Sequence, residues 1–261
     1  MSRKSEARLK RDRRGTPKKD EVAYQRRDYD KKVDLFFKKD MLLNQLKREG
    51  PKIARSFDKL AKRQLKEASV LVATTYGILS SHLYKQDDQG SSATCARLIS
   101  QASNSFIASV ELARHGFLIQ HGAMSRSIVE TLATALVLVL DPSNLQKFHD
   151  GKLKSSKCIG PASKALPIIG QNWGMLSKQF VHIGPFHARL EMPQAFTPGS
   201  QELSFVNNSI LLNAWLLYVI TELVFHQEIH CLYWRAEGSG VVFDPTKEGK
   251  EWLEWFDKIS E

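Results

Sequence analysis

Two ionisable side chains stand one helical turn apart at the start of one of the most apolar runs in the chain. Arg126 and Glu130 belong to SRSIVETLATALVLVL, and Glu130 is the only charged residue between Ile128 and Leu140. A carboxylate on an otherwise apolar helix face must be paired and hydrogen-bonded to be stable there. Arg126 can form that pair from position i−4, and both groups would keep hydrogen-bonding capacity for another molecule.

Ser177 and His182 are the most suitable partners for this pair. They lie in LSKQFVHIG, a short predicted helix beside a long loop. A histidine can carry a proton near neutral pH, and an arginine can hold a phosphate. A catalytic cluster of Arg126, Glu130 and His182 could therefore cleave RNA without a metal. The alternative is a buried network of ion pairs and hydrogen bonds that only fixes the packing of the helices.

Two other groups of residues have spacings that chemistry uses. Arg114 and His121 enclose six residues, which fits the loose arginine-to-histidine spacing of HEPN ribonucleases, although Gly116 and Gly122 suggest a helix break there. In ELVFHQEIH, the side chains of one glutamate and two histidines stand four residues apart and would share a helix face as metal ligands: Glu222, His226 and His230. This is not the HExxH pattern, so we predict no metal, with a metal enzyme built on these three residues as an alternative. No phosphate-loop or dinucleotide motif is present, so we predict no other cofactor.

The positive charge of the chain is concentrated near its N-terminus. The net charge is +10, and residues 1–66 hold 23 lysines and arginines against 10 acidic residues. A basic arm of this kind attracts polyanions, most commonly nucleic acid. The side chains predicted to contact RNA are Arg11, Arg13, Arg14, Lys18 and Lys19. A solvated tail that aids solubility is the alternative interpretation.

The composition indicates the cellular compartment of the protein. Three cysteines without metal-like spacing argue against a disulfide framework and favour a reducing cytoplasm. The longest candidate for a membrane span, ILLNAWLLYVITELVF, is short and contains Asn213 and Glu222. We therefore predict a buried helix and no membrane contact.

The elements that would hold these residues are predicted to be helical. We predict a disordered basic tail over residues 1–20, basic N-terminal helices over 21–92 and a helical-bundle core over 93–261, so the predicted fold class is all-α. The expected elements, in chain order, are a helix from about 21 that stops at Gly50, helices Pro51–Tyr84, Ala93–His115 and Gln120–Leu140, a short helix from DPSN to Lys157, a connection over 158–172, a short helix in WGMLSKQFVH, a long loop, a helix Ser204–Ala236 and a final amphipathic helix. Only GVVF, residues 240–243, resembles a strand.

The order of motifs between about residues 95 and 235 resembles an uncharacterised family of helical bacterial proteins. Its marks are R-x-x-x-E, which falls on Arg126 and Glu130, and LS-x-x-x-H, which falls on Ser177 and His182. That family in turn resembles HEPN proteins, and the resemblance implies a bundle that often dimerises and, in many members, cuts RNA in toxin or phage-defence settings. No arginine stands five to seven residues before His182, so a non-catalytic interaction or scaffold module stays open beside a ribonuclease.

Overall fold

The computed structural model describes residues 21–30, 33–85, 90–188, 192–238 and 240–260. Within them the chain is mostly helical, with two short β-hairpins. The chain divides into two compact units, residues 1–52 and residues 53–261. The predicted boundary after residue 92 lies within the second unit. The predicted disordered tail, residues 1–20, lies outside the described residues.

The first unit contains a β-hairpin where the sequence predicts a helix. Strands β1 (Val22–Asp28) and β2 (Val33–Lys38) pair antiparallel, with Tyr24 opposite Phe37. The prediction of a helix here is wrong: Val33, Leu35 and Phe37 also occupy alternate positions of β2, which is the period of a strand. Aromatic and β-branched residues favour the extended conformation.

A helical run follows the hairpin. It consists of α1 (Met41–Asn44), a π-helical turn from Gln45 to Glu49, and α2 (Gly50–Leu60). Gly50 has helical backbone angles, so the predicted stop at this residue is wrong. Pro51 lies in the first turn of α2, as predicted, although the preceding π-helical turn makes the helical run continuous at this point.

The second unit continues from Ile53 as a helical bundle that ends in a small hairpin and one more helix. Its remaining elements are α3 (Lys62–His82), α4 (Ser91–Arg114), α5 (Leu118–Leu140), α6 (Leu145–His149), α7 (Ser155–Ala165), α8 (Ile168–Leu176), a π-helical turn (Ser177–Val181), α9 (Gln201–Val224), β3 (Trp234–Glu237), β4 (Gly240–Phe243) and α10 (Lys247–Ser260). Helices α4 and α5 confirm the predicted pair, and the turn between them contains Gly116 with φ of +79°. GVVF, the one stretch whose sequence resembles a strand, forms β4.

Two segments of the second unit differ from the predicted elements. Residues 158–172, expected to be a connection, belong mostly to α7 and α8, and α7 contains Pro161 in its interior. Helix α9 ends at Val224 rather than at Ala236, because the chain turns there and returns as β3. The start of α9 is capped by Ser200, whose hydroxyl accepts a hydrogen bond from the Leu203 amide at 3.2 Å.

Helices α5 and α9 form the centre of the core. Helix α5 packs against α4, α7, α8 and α9, while α9 also packs against α3 and α4. The largest fully buried side chains are Phe57, Ile99, Ile128, Leu132, Leu136, Leu138, Ile169, Leu176, Ile210, Leu211, Leu216 and Phe225. Both central helices are long and apolar enough to cross a membrane by length and composition, and 56% and 67% of their most apolar windows are buried inside the protein. The core helix of a soluble protein passes the same test.

An aromatic cluster attaches the C-terminal hairpin and α10 to α9. The Trp215 ring stacks on Trp252 with centroids 5.8 Å apart and planes inclined by 7°. Tyr233 stacks on Phe243 and meets Trp215 edge-on. Helix α10 is therefore held on α9 by packing between aromatic rings that lie far apart in the sequence.

Candidate functional site

Arg126 and Glu130 form an ion pair on α5, as their spacing predicts. The Arg126 Nη2 lies 2.8 Å from the Glu130 Oε1, and both side chains are about four-fifths buried, with 22% and 19% exposed. Trp173 of α8 supports both: its indole N–H donates to Glu130 Oε1 at 2.9 Å, and its ring lies 5.2 Å from the Arg126 guanidinium carbon. The carboxylate therefore joins α5 to α8, and the guanidinium is held on an aromatic face.

Ser177 lies at the start of the π-helical turn that follows α8. This turn packs on α5, as α8 does. The Ser177 side chain is buried, and its hydroxyl has no hydrogen-bond partner among the described residues; the same holds for the Arg126 Nε and the Asn172 amide nitrogen. Single π-helical turns in α-helices occur frequently at functional sites. This side of α5 thus combines an ion pair with buried polar atoms that have hydrogen-bonding capacity left.

His182 does not join this cluster. It follows the π-helical turn with an exposed side chain, and only its backbone amide is engaged, donating to the Ser177 carbonyl at 3.0 Å. Within the described residues, the imidazole makes no hydrogen bond, ion pair or ring contact. Of the four predicted catalytic residues, the structure pairs Arg126 with Glu130, buries Ser177 beside α5 and leaves His182 at the surface.

Arg114 and His121 have separate partners. The Arg114 guanidinium binds Asp58 through two hydrogen bonds of 2.8 Å, and this partner holds the pKa of the Asp58 carboxyl below its usual range. His121 is fully buried, and its Nδ1 lies 2.8 Å from the Ser109 hydroxyl. Burial lowers the pKa of His121 to about 4, so the ring is neutral at physiological pH. These contacts tie Arg114 to α2 and His121 to α4.

A chain of buried polar side chains crosses the core at His121. From the imidazole it passes through the hydroxyls of Ser109, Ser125 and Ser209 to Asn213, with successive distances of 2.8, 3.4, 3.1 and 3.4 Å. It joins α4, α5 and α9, and all its members are buried. Sequence reasoning missed this chain, since an isolated serine on a helix does not reveal which face it occupies.

Glu222 has a structural partner in place of a metal. Because α9 ends at Val224, His226 and His230 do not continue the helix face on which Glu222 lies. Its Oε1 accepts hydrogen bonds from the backbone amides of Tyr233 at 2.6 Å and Trp234 at 3.3 Å, and burial raises the pKa of this carboxyl. Among the described residues no group of three or more histidines, cysteines or acidic residues could hold a metal ion.

The β1–β2 hairpin presents aromatic and cationic side chains together. Tyr24 is 59% exposed, Phe37 is 42% exposed, and their ring centroids are 6.1 Å apart. Opposite residues of an antiparallel pair point to one face, and so do alternate residues of a strand, which places exposed Arg26 beside the two rings. Tyr29, at the end of the hairpin, is 80% exposed. The predicted RNA contacts Arg11, Arg13, Arg14, Lys18 and Lys19 lie outside the described residues.

These features define a helical-bundle protein with a buried polar core and a basic, aromatic N-terminal hairpin. Comparisons with protein-family models, with curated proteins and with solved structures found no match.

Proposed function

We propose that the protein binds RNA through its N-terminal unit, with the exposed face of Tyr24, Arg26 and Phe37 as a contact surface. The observation that carries the proposal is this combination of rings and cation on one hairpin face. Aromatic rings stack on unpaired bases, and arginine neutralises phosphate and stacks as well. Because stacking accepts every base, we expect single-stranded RNA with little sequence preference.

The distribution of charge supports the same surface. Residues 1–52 hold 18 lysines and arginines against 9 acidic residues, whereas residues 53–261 hold 20 against 19. Nearly all of the net charge of +10 therefore belongs to the first unit. Phosphate contacts supply most of the affinity in nonspecific RNA binding, so this unit would dominate it.

Within this proposal the protein is HEPN-like in its helical bundle, acts in the cytoplasm in a defence or toxin setting, and forms a homodimer. The Arg126–Glu130 pair then serves as a structural link between α5 and α8. The geometry favours that role over catalysis, because the Glu130 carboxylate is engaged by Arg126 and Trp173 and His182 is not in contact with it. The bundle would thus present the RNA-binding unit without cutting its ligand.

The test is fluorescence anisotropy of a labelled single-stranded RNA, titrated with the protein at several salt concentrations. We expect affinity to fall steeply as salt rises, since each phosphate contact releases counterions. Replacing both Tyr24 and Phe37 with serine should weaken binding by roughly tenfold or more, because stacking contributes about 1–3 kcal/mol per base.

The matched control replaces the exposed Tyr76 of α3 with serine, which should leave the affinity unchanged. Equal affinity of the hairpin variant and the control would overturn the hairpin as the binding surface. Absence of any salt-dependent binding by the folded protein would overturn RNA binding itself.

A ribonuclease is the second candidate, favoured by the buried hydroxyl of Ser177 and the free Nε of Arg126 beside the π-helical turn. Incubation with total RNA and with tRNA in the presence of a chelator decides between the two. Cleavage by the unaltered protein that is lost in both Arg126→Lys and His182→Ala, at unchanged melting temperature, would establish the enzyme. We expect no cleavage.

A further inference from the structure

A cavity of about 450 Å³ lies where the long loop after His182 folds back over the turn between α4 and α5. Three phenylalanine rings form its apolar walls: Phe117, Phe186 and Phe196. Each ring is partly buried, and Phe196 is anchored by Phe57 of α2 at a centroid distance of 5.7 Å. The volume falls within the range of small-molecule pockets in proteins, and aromatic side chains in the lining can stack on a planar ligand.

The backbone fixes the shape of this cavity. Gly116 adopts φ of +79°, and a Cβ at this position would lie 2.5 Å from the carbonyl oxygen of Gln194. Only glycine therefore allows the turn and the loop to approach so closely. The Gln194 backbone is thereby placed against the turn, and Gln194 lines the cavity together with Gln120 from the first turn of α5.

The polar groups of the cavity are suited to the edge of a nucleobase. Gln120 and Gln194 are exposed, and their carboxamides make no hydrogen bond with another described residue. A carboxamide offers a donor beside an acceptor, the pattern that pairs with two adjacent positions on an adenine edge. Glu202 adds a carboxylate that accepts from an exocyclic amine.

Charge decides which part of a nucleotide the cavity would hold. Its described lining contains the carboxylate of Glu202 and no lysine, arginine or histidine. A phosphate would be repelled there, whereas a neutral base would not. Uracil lacks the exocyclic amine that a carboxylate can accept from, so adenine and cytosine fit better than uracil.

We infer that this cavity is a binding site for an unpaired nucleobase that carries an exocyclic amine, with stacking from the phenylalanine rings and edge recognition by Gln120, Gln194 and Glu202. That the base belongs to a bound RNA strand rests on the proposed function. The cavity lies within the second unit. Selectivity among bases would then come from the cavity, and general affinity from the basic hairpin.

The experiment is isothermal titration of the full chain with adenosine, cytidine, uridine and adenosine monophosphate. We expect adenosine and cytidine to bind with a dissociation constant on the order of 10⁻⁴ M, as for compact ligands of this size. Uridine should bind roughly tenfold more weakly, and the monophosphate no more tightly than adenosine. Equal affinity for all four compounds, or no binding at millimolar concentration, would overturn the inference.

Variants connect the binding to the cavity and separate it from the proposed function. Gln194→Leu should reduce adenosine affinity by roughly tenfold, while Gln171→Leu on the exposed side of α8 should not change it. If both variants bind adenosine equally, the cavity is not the site. RNA binding without nucleoside binding would overturn only the cavity assignment, and nucleoside binding without RNA binding would overturn only the proposed function.

Discussion

At the scale of single residues, the Arg126–Glu130 pair shows which part of a site a sequence can predict. Spacing of four on an apolar helix places both groups on one face, and burial then requires that they pair. The position of His182 could not be predicted in this way. Its place depends on where the π-helical turn ends, which is a property of packing between helices and not of local spacing.

Removal of the Glu130 carboxylate should destabilise the fold. Glu130→Ala leaves the Arg126 guanidinium and the Trp173 indole N–H without their acceptor, so we expect the free energy of unfolding to fall by about 2 kcal/mol. Urea unfolding measures the change. The control Asp244→Ala breaks the exposed pair with Arg235 and should cost less than about 1 kcal/mol. Equal losses in the two variants would contradict the assigned role of Glu130.

The buried imidazole of His121 should make stability depend on pH. Its pKa is about 4 in the folded protein against 6.5 for an exposed histidine, so the unfolded chain binds the proton more tightly. The contribution of His121 to the free energy of unfolding is therefore fully present above pH 6.5. It falls by roughly 3 kcal/mol as the pH is lowered toward 4.

Urea unfolding of the unaltered protein and of His121→Gln between pH 7 and pH 4 tests this expectation. The variant should lose the contribution of His121 and show a shallower dependence on pH. His149→Gln, which alters an exposed histidine, should keep the steep dependence. Parallel curves for the protein and His121→Gln would show that the buried ring does not control acid stability.

At the scale of elements, the long apolar helices were predictable and the short segments were not. The apolar positions of α4, α5 and α9 continue over many turns, and Gly116 marks a turn that requires positive φ. The β1–β2 hairpin is short, and its aromatic residues fit either period. Pro161 argued against a helix at 158–165, yet α7 accommodates it, because packing on α5 outweighs one lost hydrogen bond.

The contact between α5 and the π-helical turn should be sensitive to one methyl group. Gly122 faces Phe180, and a Cβ at Gly122 would lie 2.2 Å from the Phe180 ring. Gly122→Ala must therefore displace the turn, and we expect a loss of about 2 kcal/mol in the free energy of unfolding.

Thermal unfolding of Gly122→Ala beside Gly160→Ala measures this contact. Gly160 lies in α7 with open space around its Cβ position, so alanine there should be neutral or should stabilise by up to about 1 kcal/mol. A Gly122→Ala protein as stable as Gly160→Ala would mean that the helices do not approach as closely as the structure indicates.

At the scale of the whole molecule, the second unit contains the buried core and the first unit carries most of the net positive charge. Residues 53–261 contain every fully buried large side chain of the described core and an almost even balance of charge. We therefore expect residues 53–261 alone to unfold cooperatively near the melting temperature of the full chain, and to bind RNA with a much weaker dependence on salt.

Calorimetry on residues 53–261 tests whether this unit unfolds cooperatively, and fluorescence anisotropy tests whether its RNA binding depends only weakly on salt. A single cooperative transition would confirm the second unit as an independent folding unit. A broad transition without a heat-capacity peak would show that residues 1–52 are needed for the fold. The sequence predicts a helix break at Gly50 and Pro51, beside the boundary after residue 52, but in the structure the helical run from Met41 to Leu60 passes through it.

The stacking of Trp215 on Trp252 bears on how the protein matures during synthesis. Trp215 lies on a central helix, but the ring that covers it, and the hairpin strands beside it, come later in the chain. Until that later segment has packed on α9, the folding chain exposes an aromatic face. We expect this interval to be the point at which the polypeptide most needs a chaperone, and at which premature termination yields an aggregation-prone product.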